Sequence, residues 1–207
     1  MAYFPAFIEI KGRPVLIVGG KRAALKKMEV LLEFEAEITM IAPIFIEEIR
    51  QVDSPLVKRI ERTFRVSDVE GMHMVIAATE SPEVNHVIAE ACRERRILVN
   101  AVDQVKDCEF IFPSYVKQGD VVAAFGSSGK SPVVTQYLKE QNRRIVTAEL
   151  AELTEKLGSL RDQVKEMIPT EKQRKAFYQE ILAIGLEEQK VPEENRIQEI
   201  LGKHIEQ

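Results

Sequence analysis

The chain has 207 residues, 45% of them hydrophobic, and its 29 Lys and Arg stand against 33 Asp and Glu for a formal net charge of -4. That length holds one large domain or a medium domain with a small partner, and the apolar share is ample for a packed core. The charge balance argues against a nucleic-acid binder relying on overall charge, and no segment approaches the roughly 20 apolar residues of a membrane span.

Two cysteines, Cys92 and Cys108, make no disulfide framework, and no Cys/His cluster has metal-site spacing. The stretch from Met1 to Ile10 is apolar but lacks a basic leader. A cytoplasmic protein with reduced thiols, no bound metal, no membrane attachment and no nucleic-acid partner is expected.

In chain order, residues 14–18 form a short apolar run entering Gly19-Gly20, the pattern of a buried strand. Residues 23–34 read as a helix, with Ala24, Met28, Leu31 and Leu32 able to share a face. Residues 37–41 read as a second strand, stopped at Ala42-Pro43, and after a short helical piece residues 56–65 alternate well enough for a third. The pattern then repeats: a buried strand at 74–78, a helix opened by Pro82 and running to about Arg95, and strands at 97–100 and 110–112. Strand and helix alternating in this way predict a Rossmann-type, doubly wound parallel sheet over residues 1–113.

Beyond Pro113 a strand at 121–125 precedes a glycine-containing break and a long helix over 131–157, with further helices at 159–167, 170–184 and 192–205. A disordered tail is the alternative, but the apolar spacing of Phe177, Ile181 and Ile184, and of Ile197, Ile200 and Leu201, favours packed helices.

In a dinucleotide fingerprint, glycines let the strand turn sharply and let backbone approach the pyrophosphate at a helix N-terminus. Here the run is Gly19-Gly20-Lys21-Arg22-Ala23-Ala24, with Gly19 in the first glycine position and Ala24 in the last. Lys21 takes the middle one, where its side chain either blocks a dinucleotide or points outward and pairs with the pyrophosphate; a plain tight turn explains the run about as well. The acidic residue that usually binds the ribose is replaced by Ala42-Pro43, so NAD and NADP are not separated. Ala78, Thr79, Asn100 and Asp103 follow strands at the edge where such sheets bind ligands, and Asp103 either acts as a base or turns the chain. The stretch from Ala124 to Ser131 comes within one residue of a P-loop, but Ala124 replaces the required first glycine.

Taken together, Phe4-Pro5 with Phe7, residues 15–20 with 24–27, Ala77-Ala78-Thr79 with Asn85, the string from Asn100 to Ser114, and residues 128–132 resemble the dehydrogenase module of the siroheme synthase family. The resemblance implies a Rossmann domain at 1–113, a dimerisation region at 114–147 and a helical domain at 148–207. It implies NAD-dependent oxidation of precorrin-2 to sirohydrochlorin by a homodimer, with Asp103 as acid/base. Gly19, Gly20, Lys21, Arg22, Ala42, Pro43, Ala78, Thr79 and Asn100 are then the cofactor residues. Ser127, Ser128 and Lys130 are the substrate residues, their loop offering backbone N–H groups to a carboxylate. Precorrin-2 carries many carboxylates, and Lys130, Lys139, Arg143, Arg144, Arg161, Lys165, Arg174 and Lys175 offer cations in the later part of the chain. Two other readings stay open: a tetrapyrrole carrier without NAD chemistry, for which Lys21 speaks, and an iron chelatase for sirohydrochlorin.

Overall fold

The computed structural model describes residues 3–205; Met1 and Ala2, where the reading for a leader begins, lie outside them. The chain divides into two compact units, residues 1–112 and 113–207.

In the first unit, β1 (Pro14–Val18), β2 (Glu37–Ala42), β3 (Val57–Glu61), β4 (Met74–Ala77) and β5 (Leu98–Ala101) form one sheet in the order β3-β2-β1-β4-β5. Every pairing is parallel. The apolar runs that give no periodicity in sequence are explained by this sheet, because both faces are covered. Val15, Ile17, Ile38, Met40 and Ile76 point to one core with Ala24, Met28 and Leu31 of α1 (Arg22–Glu33). Leu16, Val18, Ile41, Val75 and Val99 point to the other, with Ile88, Ala89 and Cys92 of α3 (Pro82–Glu94). Pro82 sits in the first turn of α3, and the Ser81 side chain accepts from the N–H of Val84, so this helix starts where its sequence says it should. The short helical piece is α2 (Glu47–Arg50).

The expected strand at 110–112 is not formed. The backbone bond to β5 here lies one residue before the stretch, from Glu109 N–H to the Val99 carbonyl at 2.9 Å. The Phe110 carbonyl is taken instead by the Asn100 side chain, 3.0 Å away, and the rings of Phe110 and Phe112 pack with centroids 5.5 Å apart. Alternating aromatics here serve a side-chain cluster against the core, not a ladder. With Pro113 next in line, the chain also loses a ladder donor.

The second unit opens with a hairpin that sequence pattern only half reveals. β6 (Ser114–Gln118) pairs antiparallel with β7 (Val121–Phe125) across a two-residue turn at Gly119, whose φ is +52°. The single long helix expected over 131–157 is two helices, α4 (Pro132–Asn142) and α5 (Ala148–Ser159). The break holds β-branched Ile145 and Val146, and Thr147 caps α5 by accepting from the N–H of Leu150 at 3.3 Å. α6 (Arg161–Met167), α7 (Glu171–Glu188) and α8 (Glu194–Ile205) complete a core of Leu153, Val164, Phe177, Ile181, Ile197 and Leu201. No described helix is long and apolar enough to cross a membrane.

Candidate functional site

The order β3-β2-β1-β4-β5 places the strand-order reversal between β1 and β4, and ligands of such sheets bind in the crevice at the carboxyl ends there. The chain turns from β1 into α1 through Gly19 and Gly20 because nothing larger fits. A Cβ on Gly19, whose φ is +143°, would lie 2.2 Å from the Ala78 carbonyl oxygen. A Cβ on Gly20 would lie 2.0 Å from the Ile44 carbonyl oxygen and 2.9 Å from the Ala42 Cβ. Gly19 N–H also donates to the Ile41 carbonyl at 2.9 Å, and Ile46 N–H donates to the Gly20 carbonyl at 2.9 Å. Three strand ends are thereby drawn against one turn.

At the middle position of the fingerprint, Lys21 has φ of -109° and ψ of -171°, an extended backbone open to any residue. It caps α1 without a side-chain hydrogen bond, and no acidic residue occupies the first turn. The first N–H groups of α1 are therefore left to a ligand, with the positive end of the helix dipole and the exposed Lys21 beside them.

A crevice of about 730 Å³ opens at this edge. Its walls bring together seven residues expected from sequence: Gly19, Gly20, Lys21, Ala42, Pro43, Ala78 and Thr79. The Thr79 wall is held by Asn85, which is 3% exposed; its Oδ1 accepts from Thr79 N–H at 3.0 Å and its Nδ2 donates to the Thr79 carbonyl at 3.2 Å. Sequence reasoning missed the remaining apolar wall, formed by Ile44, Phe64 and Val66 beyond their strands and by Val84 and Val87 on α3. The signal was available: Val84 and Val87 are apolar yet lie off the face of α3 that carries Ile88, Ala89 and Cys92.

Two expected cofactor residues do not line the crevice. Arg22 is exposed at the start of α1, 4.0 Å from Glu48. Asn100 is buried, and its Nδ2 donates to the Phe110 carbonyl and to Cys108 Sγ at 3.5 Å. Cys108 Sγ accepts from Ala101 N–H at 3.2 Å and donates to the Ala101 carbonyl at 3.1 Å. Asn100 and Cys108 thus fold the loop that carries Asp103, exposed at the carboxyl end of β5 with φ of +61°.

Lys27 of α1 lies under this loop, its amine 3.8 Å from the centroid of the Phe112 ring. Burial pushes the Lys27 amine below the usual lysine value; Cys108 and Asp103 oppose that shift, and Lys26 adds to it. Burial also raises the Cys108 thiol, against the Ala101 hydrogen bond and Lys27. Burial is thus the leading cause of both shifts.

Ser127, Ser128 and Lys130 fall in the second unit, between β7 and α4. The Ser127 hydroxyl is committed to Ser131, accepting from its N–H at 3.0 Å and donating to its carbonyl at 3.1 Å. Ser128, with φ of +53°, and Lys130 are exposed. Of the later cations, Arg161, Lys165, Arg174 and Lys175 surround one groove of about 570 Å³ with Tyr178. Arg143 instead pairs with Glu140 at 3.1 Å, and Lys139 stands 5.5 Å from the Tyr115 ring centroid.

A parallel sheet with a glycine turn, a free helix N-terminus and an apolar crevice at its switch point defines a dinucleotide-binding α/β domain. Residues 6–114, more than half of the chain, match the family described as putative NAD(P)-binding, and the chain belongs to that family. Its relatives include siroheme synthase 1 of Pectobacterium atrosepticum, 34% identical over 182 residues, which are 87% of this chain and 38% of that protein. Siroheme synthase of Photorhabdus laumondii subsp. laumondii is 33% identical over 181 residues, again 87% of this chain and 38% of the relative. The chain therefore spans less than half the length of these curated relatives. Among solved structures, SirC, a precorrin-2 dehydrogenase, has the same fold, with a TM-score of 0.73 at 20% identity over 99% of this chain and 100% of that one.

Proposed function

We propose that the chain is a precorrin-2 dehydrogenase that uses NAD and forms sirohydrochlorin, with Asp103 as acid/base. The observation that carries this reading is the dinucleotide crevice at the switch point together with an exposed carboxylate at the end of the adjacent strand β5. The names of the siroheme synthase relatives and of SirC support the substrate. The residues present fit the cofactor: Gly19 and Gly20 leave room that a Cβ would fill, and the start of α1 offers uncapped N–H groups to a pyrophosphate.

When bound, NAD supplies a hydride acceptor. Gly19, Gly20 and the first turn of α1 hold the diphosphate, Lys21 adds a cation at the rim, and Ala42, Pro43, Ala78 and Thr79 wall the crevice against water. Asn100 acts from outside the crevice by shaping the loop of Asp103. Removing a hydride and a proton from the macrocycle requires a base to accept the proton, and Asp103 takes it at its carboxylate. Ser128 and Lys130 offer an exposed N–H and a cation to substrate carboxylates, while Ser127 holds that loop closed.

A homodimer formed through residues 114–147 accords with an apolar surface on and beyond α4: Val133 is 78% exposed, Tyr137 61% and Ile145 61%. Residues 148–207 form the helical domain of this reading, and the cytoplasm is its compartment. The test is anaerobic turnover of precorrin-2 with NAD by Asp103→Asn beside the unaltered chain. Loss of most of the rate, with unchanged circular dichroism, is expected; full turnover by folded Asp103→Asn would remove the role assigned to it.

A further inference from the structure

Asp107 closes the 3₁₀ turn Val105–Asp107 and is 2% exposed. One of its carboxylate oxygens, Oδ1, lies 3.0 Å from His86 Nδ1, while the other, Oδ2, is buried with no hydrogen-bond partner. A carboxylate is not left half-paired in a protein interior without cost, and a cation is what such a group lacks. The turn that presents it is anchored to α3, because Asp107 N–H donates to the Gln104 carbonyl at 2.9 Å and Gln104 Nε2 donates to the Pro82 carbonyl at 3.0 Å.

The partners for that cation stand on α3. His86 and Glu90 are four residues apart in a helix and so share one face. One ligand atom from each of His86, Glu90 and Asp107 lies within 4.8 Å of the others. First-row divalent ions hold nitrogen and oxygen donors at roughly 2.0–2.2 Å, so adjacent donors sit about 3–4 Å apart. The 3.0 Å separation of His86 Nδ1 and Asp107 Oδ1 is that of two neighbouring donors around one ion. Sequence spacing alone gives no such set, since Asp107 arrives from a distant turn.

We propose that His86, Glu90 and Asp107 form a binding site for a divalent first-row transition cation such as Zn2+. An imidazole beside two carboxylates selects this class over Ca2+ and Mg2+, which prefer oxygen throughout. His86 and Glu90 are exposed, so the ion enters from solvent and keeps water in its remaining positions. Glu90 leaves an exposed pairing with Arg93 to bind it, and a surface pair of that kind is held weakly. None of the three residues lines the dinucleotide crevice, and the site stands whether or not the chain is a dehydrogenase. The ion would clasp α3 to the turn four residues beyond Asp103, stiffening the loop on which Asp103 sits.

The experiment is calorimetric titration of the full chain, stripped by a chelator, with Zn2+ alone, no nucleotide or tetrapyrrole being present. One equivalent binds, and the thermal unfolding midpoint rises with Zn2+ concentration. His86→Gln and Glu90→Gln, both at exposed helix positions and checked for native circular dichroism, each weaken binding by at least the roughly 10–100-fold that losing an outer-shell partner costs a metal site. Glu94→Gln, on the same helix outside the cluster, leaves it unchanged. No stoichiometric Zn2+ binding, or unchanged affinity in either cluster variant, overturns the proposal.

Discussion

Three glycine-to-alanine substitutions separate the two reasons a turn can demand glycine. Gly71 has φ of +75° and open space where a Cβ would go, so Gly71→Ala meets only the backbone penalty. That penalty is about 1 kcal/mol once the stiffer unfolded chain is allowed for. Gly20 has no positive φ, but its Cβ would fall 2.0 Å from a backbone oxygen that cannot rotate away. The loop from Ala42 to Ile46 must shift and the 2.9 Å bond from Ile46 to Gly20 is strained, which costs about 2–4 kcal/mol. Gly19 combines both effects: φ of +143°, 2.2 Å to the Ala78 oxygen and 2.7 Å to its carbon. Separating Ala78 from β1 also threatens its 2.8 Å bond to the Val18 carbonyl, and about 3–5 kcal/mol follows, a large part of the roughly 5–15 kcal/mol that holds a domain folded. Urea unfolding followed by circular dichroism reads the three differences, with the order Gly71→Ala, Gly20→Ala, Gly19→Ala in increasing cost. If all three fell within about 0.5 kcal/mol of each other, the close approach of strand ends around the turn would be wrong.

Two further outcomes follow from other parts of the molecule. Val87→Glu places a charge on the apolar wall of the crevice from an exposed helix position; NADH affinity by calorimetry falls about tenfold, or about 1.4 kcal/mol, with little change in stability, and an unchanged affinity would place the dinucleotide elsewhere. The Arg62 guanidinium hydrogen-bonds Asp68 at 2.7 Å and, helped by the N–H of Arg65, holds its carboxyl below the ordinary aspartate value against burial. A lowered folded value means that the stability from Asp68 is present above the unfolded value of about 4 and is lost as pH falls through the folded one. Asp68→Asn therefore lowers the urea midpoint near neutral pH, and the difference from the unaltered chain shrinks at strongly acidic pH; a constant difference would refute the linkage.

The parallel sheet was legible because its strands are short, wholly apolar and separated by helices with clear starts at Ser81-Pro82 and after Gly19-Gly20. The strand β6 was not, since Ser114–Gln118 buries only Val116 fully and so carries no alternation strong enough to read. Phe110 and Phe112 alternate as strand residues do, yet their partners, Lys27 and the core beneath, come from residues distant in sequence. The long helix failed at Ile145-Val146-Thr147, where local preference for a cap outweighed continuing amphipathicity. At the site, the glycine turn and the residues just past β2 and β4 could be read from strand ends. Val84 and Val87 carried a signal, being apolar yet off the core face of α3, whereas Phe64 and Val66 could not be read, because which apolar residues beyond a strand face a crevice rather than a core depends on contacts distant in sequence. Asn100 stands at a strand end, as its position in sequence suggests, but its side chain is spent on the chain that follows it.

The most direct test of the central claim is stoichiometric. Purified protein is incubated anaerobically with precorrin-2, with and without NAD, while sirohydrochlorin and NADH are followed together by absorbance. One NADH formed for each sirohydrochlorin, and no product without NAD, is the predicted result. Folded protein that binds NAD yet forms neither product, under conditions where an active dehydrogenase forms both, would contradict it.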